Sequence, residues 1–135
     1  VSDESGLSGT RHEARERAFH LLYESEMKGE GTDEVLAALP VEPDAFATEL
    51  VEGVGSNRAG LDELISAHAR NWDVDRMPAL DRAILRIATF ELVHTPDVPT
   101  GVVISEAVEL AKQYSTDDSS RYVNGVLSAI AGAVR

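Results

Sequence analysis

Cysteine is absent from the 135 residues, so neither a disulfide framework nor a thiolate metal site can form. No apolar run approaches the roughly 20 residues that a membrane span needs, and the opening stretch VSDESGLSGT is polar and acidic, unlike a signal peptide. A soluble, cytoplasmic chain without membrane contact is therefore expected. Basic residues are scarce as well: 12 Lys and Arg face 24 Asp and Glu, a net charge of -12. Such a balance argues against nucleic acid, whose phosphates are held mainly by Lys and Arg.

The average hides an uneven distribution. Between Glu30 and Asp75 there are eleven acids against Arg58 and Arg70 alone, whereas residues 10–28 balance four bases against four acids. From Lys112 onward, Lys112, Arg121 and Arg135 outnumber Asp117 and Asp118. An anionic ligand should therefore bind near the ends of the chain and a basic partner near its middle.

Apolar spacing is helical throughout, and no segment alternates as a strand would. Residues 1–9 hold too little apolar surface to offset ordering and are expected to form a disordered tail. From Thr10 a helix fits, with Ala14, Ala18, Leu21, Leu22 and Ser25 on one stripe and Gly29 and Gly31 ending it. A short helix over 33–39, N-capped by Thr32, precedes Pro40.

Phe46, Leu50, Val51 and Val54 begin another helix, in which Gly53, Gly55 and Gly60 predict a break or kink before the face resumes at Leu61, Leu64, Ile65 and His68. NWDVDRM then links two halves, with Trp72 as the anchor where they meet. The segment 78–93 is apolar on more than one stripe and should be the most buried. After a turn at Pro96 and Pro99, helices follow at about 102–114 and 118–134. The fold class is all-α, with six or seven helices in a single domain over 10–135, made of docked subdomains at about 10–72 and 73–135.

Catalytic and metal signatures are missing. His12, His20, His68 and His94 form no close pair with a third ligand, GVGSNRAG lacks a preceding strand and the phosphate-binding lysine, and no serine sits in a nucleophile elbow. Neither enzyme activity nor a cofactor is expected.

Two segments combine cations with aromatic rings. On the first helix Arg11 and Arg15 flank one edge of the apolar stripe and Arg17 the other, their heads facing solvent. Arg15, Phe19 and Tyr23 follow at i, i+4 and i+8, a ridge able to clamp phosphates and stack unpaired bases; equally, Phe19 and Tyr23 fit core or dimer contacts. In STDDSSRYVNGV, Ser, Thr and Asp can cap the last helix while Arg121 and Tyr122 project from its first turn, where backbone N–H groups favour an anion. A plain helix cap explains the same pattern.

In chain order, RHEARERAFHLLYESEM, LDRAILRIATFEL, VPTGVVISEAVELAKQYS and DDSSRYVNGVL resemble the NusB transcription antitermination family, from about Arg11 to Ile130. The resemblance implies a cytoplasmic, all-helical protein that binds the single-stranded boxA element of nascent RNA. It implies as partners NusE, a small-subunit ribosomal protein, and the elongation complex that transcribes ribosomal RNA. By motif position it implies Arg11, Arg15, Arg17 and Tyr23 for RNA from the first block, and Asp118, Arg121 and Tyr122 from the last. Asp81 in LDRAILR would face NusE.

Glu13 and Glu16 interrupt the arginines, which raises the importance of NusE for RNA binding. A homodimer that covers the RNA face also occurs in the family. The alternatives are a dimeric protein-binding adaptor with weak or lost RNA binding, and a NusB-like module of an RNA methyltransferase, whose αβ cofactor domain these 135 residues are not expected to hold.

Overall fold

The computed structural model describes residues 2–70 and 73–135, and side chains from Arg11 onward; Val1, Asn71 and Trp72 lie outside the described residues, and with them the expected anchoring role of Trp72. Among the described residues six α-helices follow one another: α1 (Ser2–Lys28), α2 (Thr32–Ala37), α3 (Ala45–His68), α4 (Ala79–His94), α5 (Thr100–Tyr114) and α6 (Asp117–Val134), with a 3-10 turn at Val74–Arg76 before α4. No strand occurs among the described residues. Helix α1 starts at Ser2, upstream of Thr10, so its backbone turns run through the segment expected as a tail. The apolar stripe marks where the helix meets the core.

Local chemistry sets the helix ends. Gly29 closes α1 at φ 67°, a left-handed conformation that glycine adopts without steric cost. Asp44 caps α3 by accepting from the Phe46 N–H at 2.8 Å, and Thr116 caps α6 by accepting from Ser119 N–H at 3.0 Å. The cap of α2 is Gly31 rather than Thr32, with Glu34 Oε1 accepting from the Gly31 N–H at 3.0 Å. Thr32 instead packs inside the first turn, against α3.

The expected break in α3 does not occur, and the reason is packing. A Cβ at Gly53 would lie 2.2 Å from the Phe90 ring, and one at Gly55 2.2 Å from Thr32 Oγ1. These glycines let α4 and α2 approach a continuous helix. Gly60 meets nothing within 4 Å and is simply tolerated.

Helix α4 is the hub, packed against α1, α3, α5 and α6. Buried side chains from all six helices form one continuous cluster, with Ile84, Leu85 and Leu92 of α4 among its fully enclosed members. Polar ties fasten the same helix. Arg82 donates to Glu26 of α1 and to the carbonyls of Val74 and Met77, and Arg86 pairs with Asp62 of α3 through two bonds of 2.8 and 2.9 Å. At the far end Arg135 donates to the carbonyls of Glu91, Leu92, Thr95 and Val98, capping the last turn of α4 with a cation where the helix dipole favours one.

The two glycines predict opposite outcomes. Gly53→Ala forces its Cβ into the Phe90 ring and should destabilise the protein by about 1–3 kcal/mol. Gly60→Ala should stabilise by up to about 1 kcal/mol, the helix-propensity difference. Thermal melts of the two variants against the parent check both signs.

Candidate functional site

The arginines of α1 have three different fates. Arg15 is 5% exposed; its Nε and Nη2 each donate to Glu91 of α4 at 2.9 Å, and its Nη1 lies 3.5 Å from Glu106 of α5. Burial works against this charge, but the hydrogen bonds and charge of Glu91, and then of Glu106, outweigh it and hold the guanidinium above its ordinary pKa. The expectation of a solvent-facing Arg15 is therefore corrected: its head is committed to two carboxylates inside the fold. Arg11 stands over the Phe46 ring at 4.0 Å from the centroid, exposed and without a carboxylate partner among the described residues. Arg17 is exposed and unpaired among the described residues.

One edge of α1 runs beside α5. His12 Nδ1 lies 3.0 Å from Glu106 Oε1, Tyr114 donates its hydroxyl to Glu16, and His20 Nε2 lies 3.1 Å from the Tyr114 oxygen. The Phe19 and Tyr114 rings stand 5.1 Å apart. Because residue numbers rise together along this seam, α1 and α5 run in the same direction. Half-buried Tyr23, one turn beyond Phe19, thus comes level with the α5–α6 connection. Arg17 is turned roughly 120° from Tyr23 about the helix axis, and Arg11 is roughly 18 Å back along it.

At that connection the last-block residues gather. Asp118 and Arg121 are exposed and paired with each other. Tyr122 is half-buried against the core; burial and then the Asp81 charge push its hydroxyl above the ordinary value. Asp81 is 1% exposed and accepts from Ser115 Oγ at 3.0 Å and Ser119 Oγ at 2.9 Å. That placement corrects the expectation that Asp81 faces a partner: a carboxylate so enclosed ties the first turn of α4 to the start of α6. Around it opens a groove of about 630 Å³ whose walls include Arg70, Pro78, Thr116 and Tyr122.

The structure thus places Asp118 and Tyr122 along one groove with Asp81 beneath them, and Arg121, paired with Asp118, along the neighbouring face with Lys112; Tyr23 approaches this end only by its register on α1, and Arg11 and Arg17 lie apart from it. Sequence reasoning missed Glu16, Tyr114 and Arg70 at this end. Tyr114 carried a signal, since it stands beside STDD, but its register with Val103, Ala107 and Leu110 reads as core. Among the described residues no group of His, Asp and Glu could hold a metal ion, and no helix is long and apolar enough to cross a membrane.

Comparison with known proteins adds independent findings. The sequence profile of the NusB family matches residues 12–132. The transcription antitermination protein NusB of Saccharopolyspora erythraea is 48% identical over 130 residues, 92% of this chain and 88% of the relative. A solved structure of NusB from T. maritima superposes with a TM-score of 0.82 at 33% identity, covering 90% of each chain. A crystal structure of the antitermination factors NusB and NusE in complex with double-stranded RNA matches with a TM-score of 0.78 at 31% identity, over 92% of this chain and 97% of that one.

The His12–Glu106 contact makes a pH prediction. The hydrogen bond to Glu106 raises the His12 pKa above 6.5, so its stabilising contribution is complete below that value and fades as pH climbs through the raised pKa. Glu106→Gln should bring the His12 midpoint back toward 6.5, followed by NMR titration of the imidazole. An unchanged midpoint would remove Glu106 as the cause.

Proposed function

The chain belongs to the NusB family, and from that premise we propose that it is a non-enzymatic, cytoplasmic transcription antitermination factor that holds boxA-like single-stranded RNA together with NusE. The observation that carries this reading is the likeness to a NusB chain solved with both NusE and RNA. The RNA in that complex is double-stranded, so the single-stranded target is our own reading, drawn from the sequence resemblance and the aromatic residues gathered at one end.

On this reading the RNA face is the α5–α6 connection with Asp118, Arg121 and Tyr122, and Tyr23 on the adjoining end of α1. Tyr122 offers a ring for an unstacked base and Arg121 a phosphate contact once it leaves Asp118. Arg11 and Arg17 add phosphate contacts along α1. Arg15, bound to Glu91, holds α1 in register on α4 and is not part of this face. The acidic middle of the chain, with exposed Glu42, Glu49 and Glu52 along one groove of α3, suits a basic ribosomal protein. Assembly with an elongation complex then follows from the RNA and NusE contacts together.

The test is a titration of labelled boxA RNA and a scrambled strand, with and without NusE, over a range of salt. Removing one cation that neutralises a phosphate of a single strand should flatten the slope of log K against log salt by about 0.7, so Arg17→Ala and Arg121→Ala should each show that change. Tyr122→Ala should cost about 1–3 kcal/mol of RNA affinity if a base stacks there, in protein whose melt confirms folding. A salt slope near zero, or full affinity in folded Tyr122→Ala, would refute the proposed face.

A further inference from the structure

Glu16 stands between Arg15 and Arg17, and as a bare charge it should repel RNA. Its surroundings give it another use. The Tyr114 hydroxyl has one proton, and donates it to Glu16; its oxygen then accepts, with His20 Nε2 at 3.1 Å and Gln113 Nε2 at 3.3 Å as the neighbouring donors. The bond to Glu16 also raises the Tyr114 pKa above 10.0, as expected when the protonated hydroxyl is the bonded form. The bonds and ring contact that link α1 to α5 run between side chains.

That link lies between the two segments assigned to RNA, α1 and the start of α6. Two points of attachment hold it: His12 and Arg15 on Glu106 at one end, Glu16 and His20 on Tyr114 at the other. Tyr114 is the last residue of α5, three positions before Asp117 opens α6. Together with the Asp81 bonds that tie α4 to the start of α6, the contact of Tyr114 with α1 helps set Arg121 and Tyr122 relative to α1.

We propose that Glu16 is a positioning residue, which by accepting the Tyr114 hydroxyl sets the α1 edge against the α5–α6 connection in the arrangement that RNA requires. The RNA arm of the test rests on the function proposed above; the distance arm does not. A repelling charge and a positioning residue predict opposite signs. For positioning, Glu16→Ala and Tyr114→Phe each lower boxA RNA affinity about 3- to 10-fold, the size of one hydrogen bond. The double variant is no weaker than either single one, and Glu16→Gln, whose amide oxygen can still accept, retains most of the parent affinity.

The distance arm uses the absence of native cysteine. Spin labels on Glu13→Cys in α1 and Glu109→Cys in α5, both exposed positions, report the spacing across the seam in the free protein. Glu16→Ala should broaden or shift that distribution, and Glu16→Gln should not. Higher affinity in both Glu16→Ala and Glu16→Gln, additive losses in the double variant, or an unchanged distance in Glu16→Ala would each overturn the proposal. Absence of RNA binding by the parent protein would instead defeat the functional reading, while the distance arm still decides whether Glu16 positions the helices.

Discussion

Glu91 is a carboxylate in the last turn of α4, 1% exposed, on a helix that every other long helix touches. A charge in that position is costly unless a partner and hydrogen bonds accompany it into the interior. Arg15 is that partner, and its forked geometry fills both carboxylate oxygens while a third nitrogen reaches Glu106. One side chain thereby joins α1, α4 and α5. The register of α1 follows from it: with Arg15 turned inward, Phe19 joins the core, the His12–Glu16–His20 edge falls beside α5, and Arg17 is left in solvent.

Internal pairing of this kind commits several of the chain's scarce cations to the fold, so they are not available to an external anion. Arg15, Arg82, Arg86 and Arg135 work inside the fold, pairing with Glu91, Glu26 and Asp62 or capping α4. Their carboxylate partners are neutralised by the same bonds. Exposed acids are most numerous on α2 and α3, although Glu13 on α1 and Glu109 on α5 are exposed too, and Arg11, Arg17 and Lys112 on α1 and α5 are exposed cations without a carboxylate partner among the described residues. Net charge alone says little about either face.

The helices were legible because each carries an apolar stripe at a period near 3.6 residues, and α4, apolar on several sides, was recognisable as the hub. What escaped was long-range in the chain. The glycines of α3 read locally as helix breakers, yet Gly53 and Gly55 mark where Phe90 and Thr32 approach. Arg15 is 76 positions from Glu91 and Asp81 is 34 from Ser115, so no local pattern could reveal that both are enclosed. Glu16 looked like an interruption of a basic stretch because Tyr114, its partner, is 98 residues away. The cap of α6 was readable because Thr116 and the Ser119 N–H it accepts from lie within one turn of each other.

The central claim is that the Arg15–Glu91 pair is a structural constraint and not a free cation awaiting phosphate. Urea unfolding of Arg15→Met, Glu91→Leu and the double variant tests it directly. Each single change leaves a buried charge without its partner and should cost about 3–5 kcal/mol, whereas the double change removes both charges and should recover most of that loss. Near-parental stability of Arg15→Met, or losses that simply add in the double variant, would contradict the account and return the Arg15 guanidinium to the RNA surface.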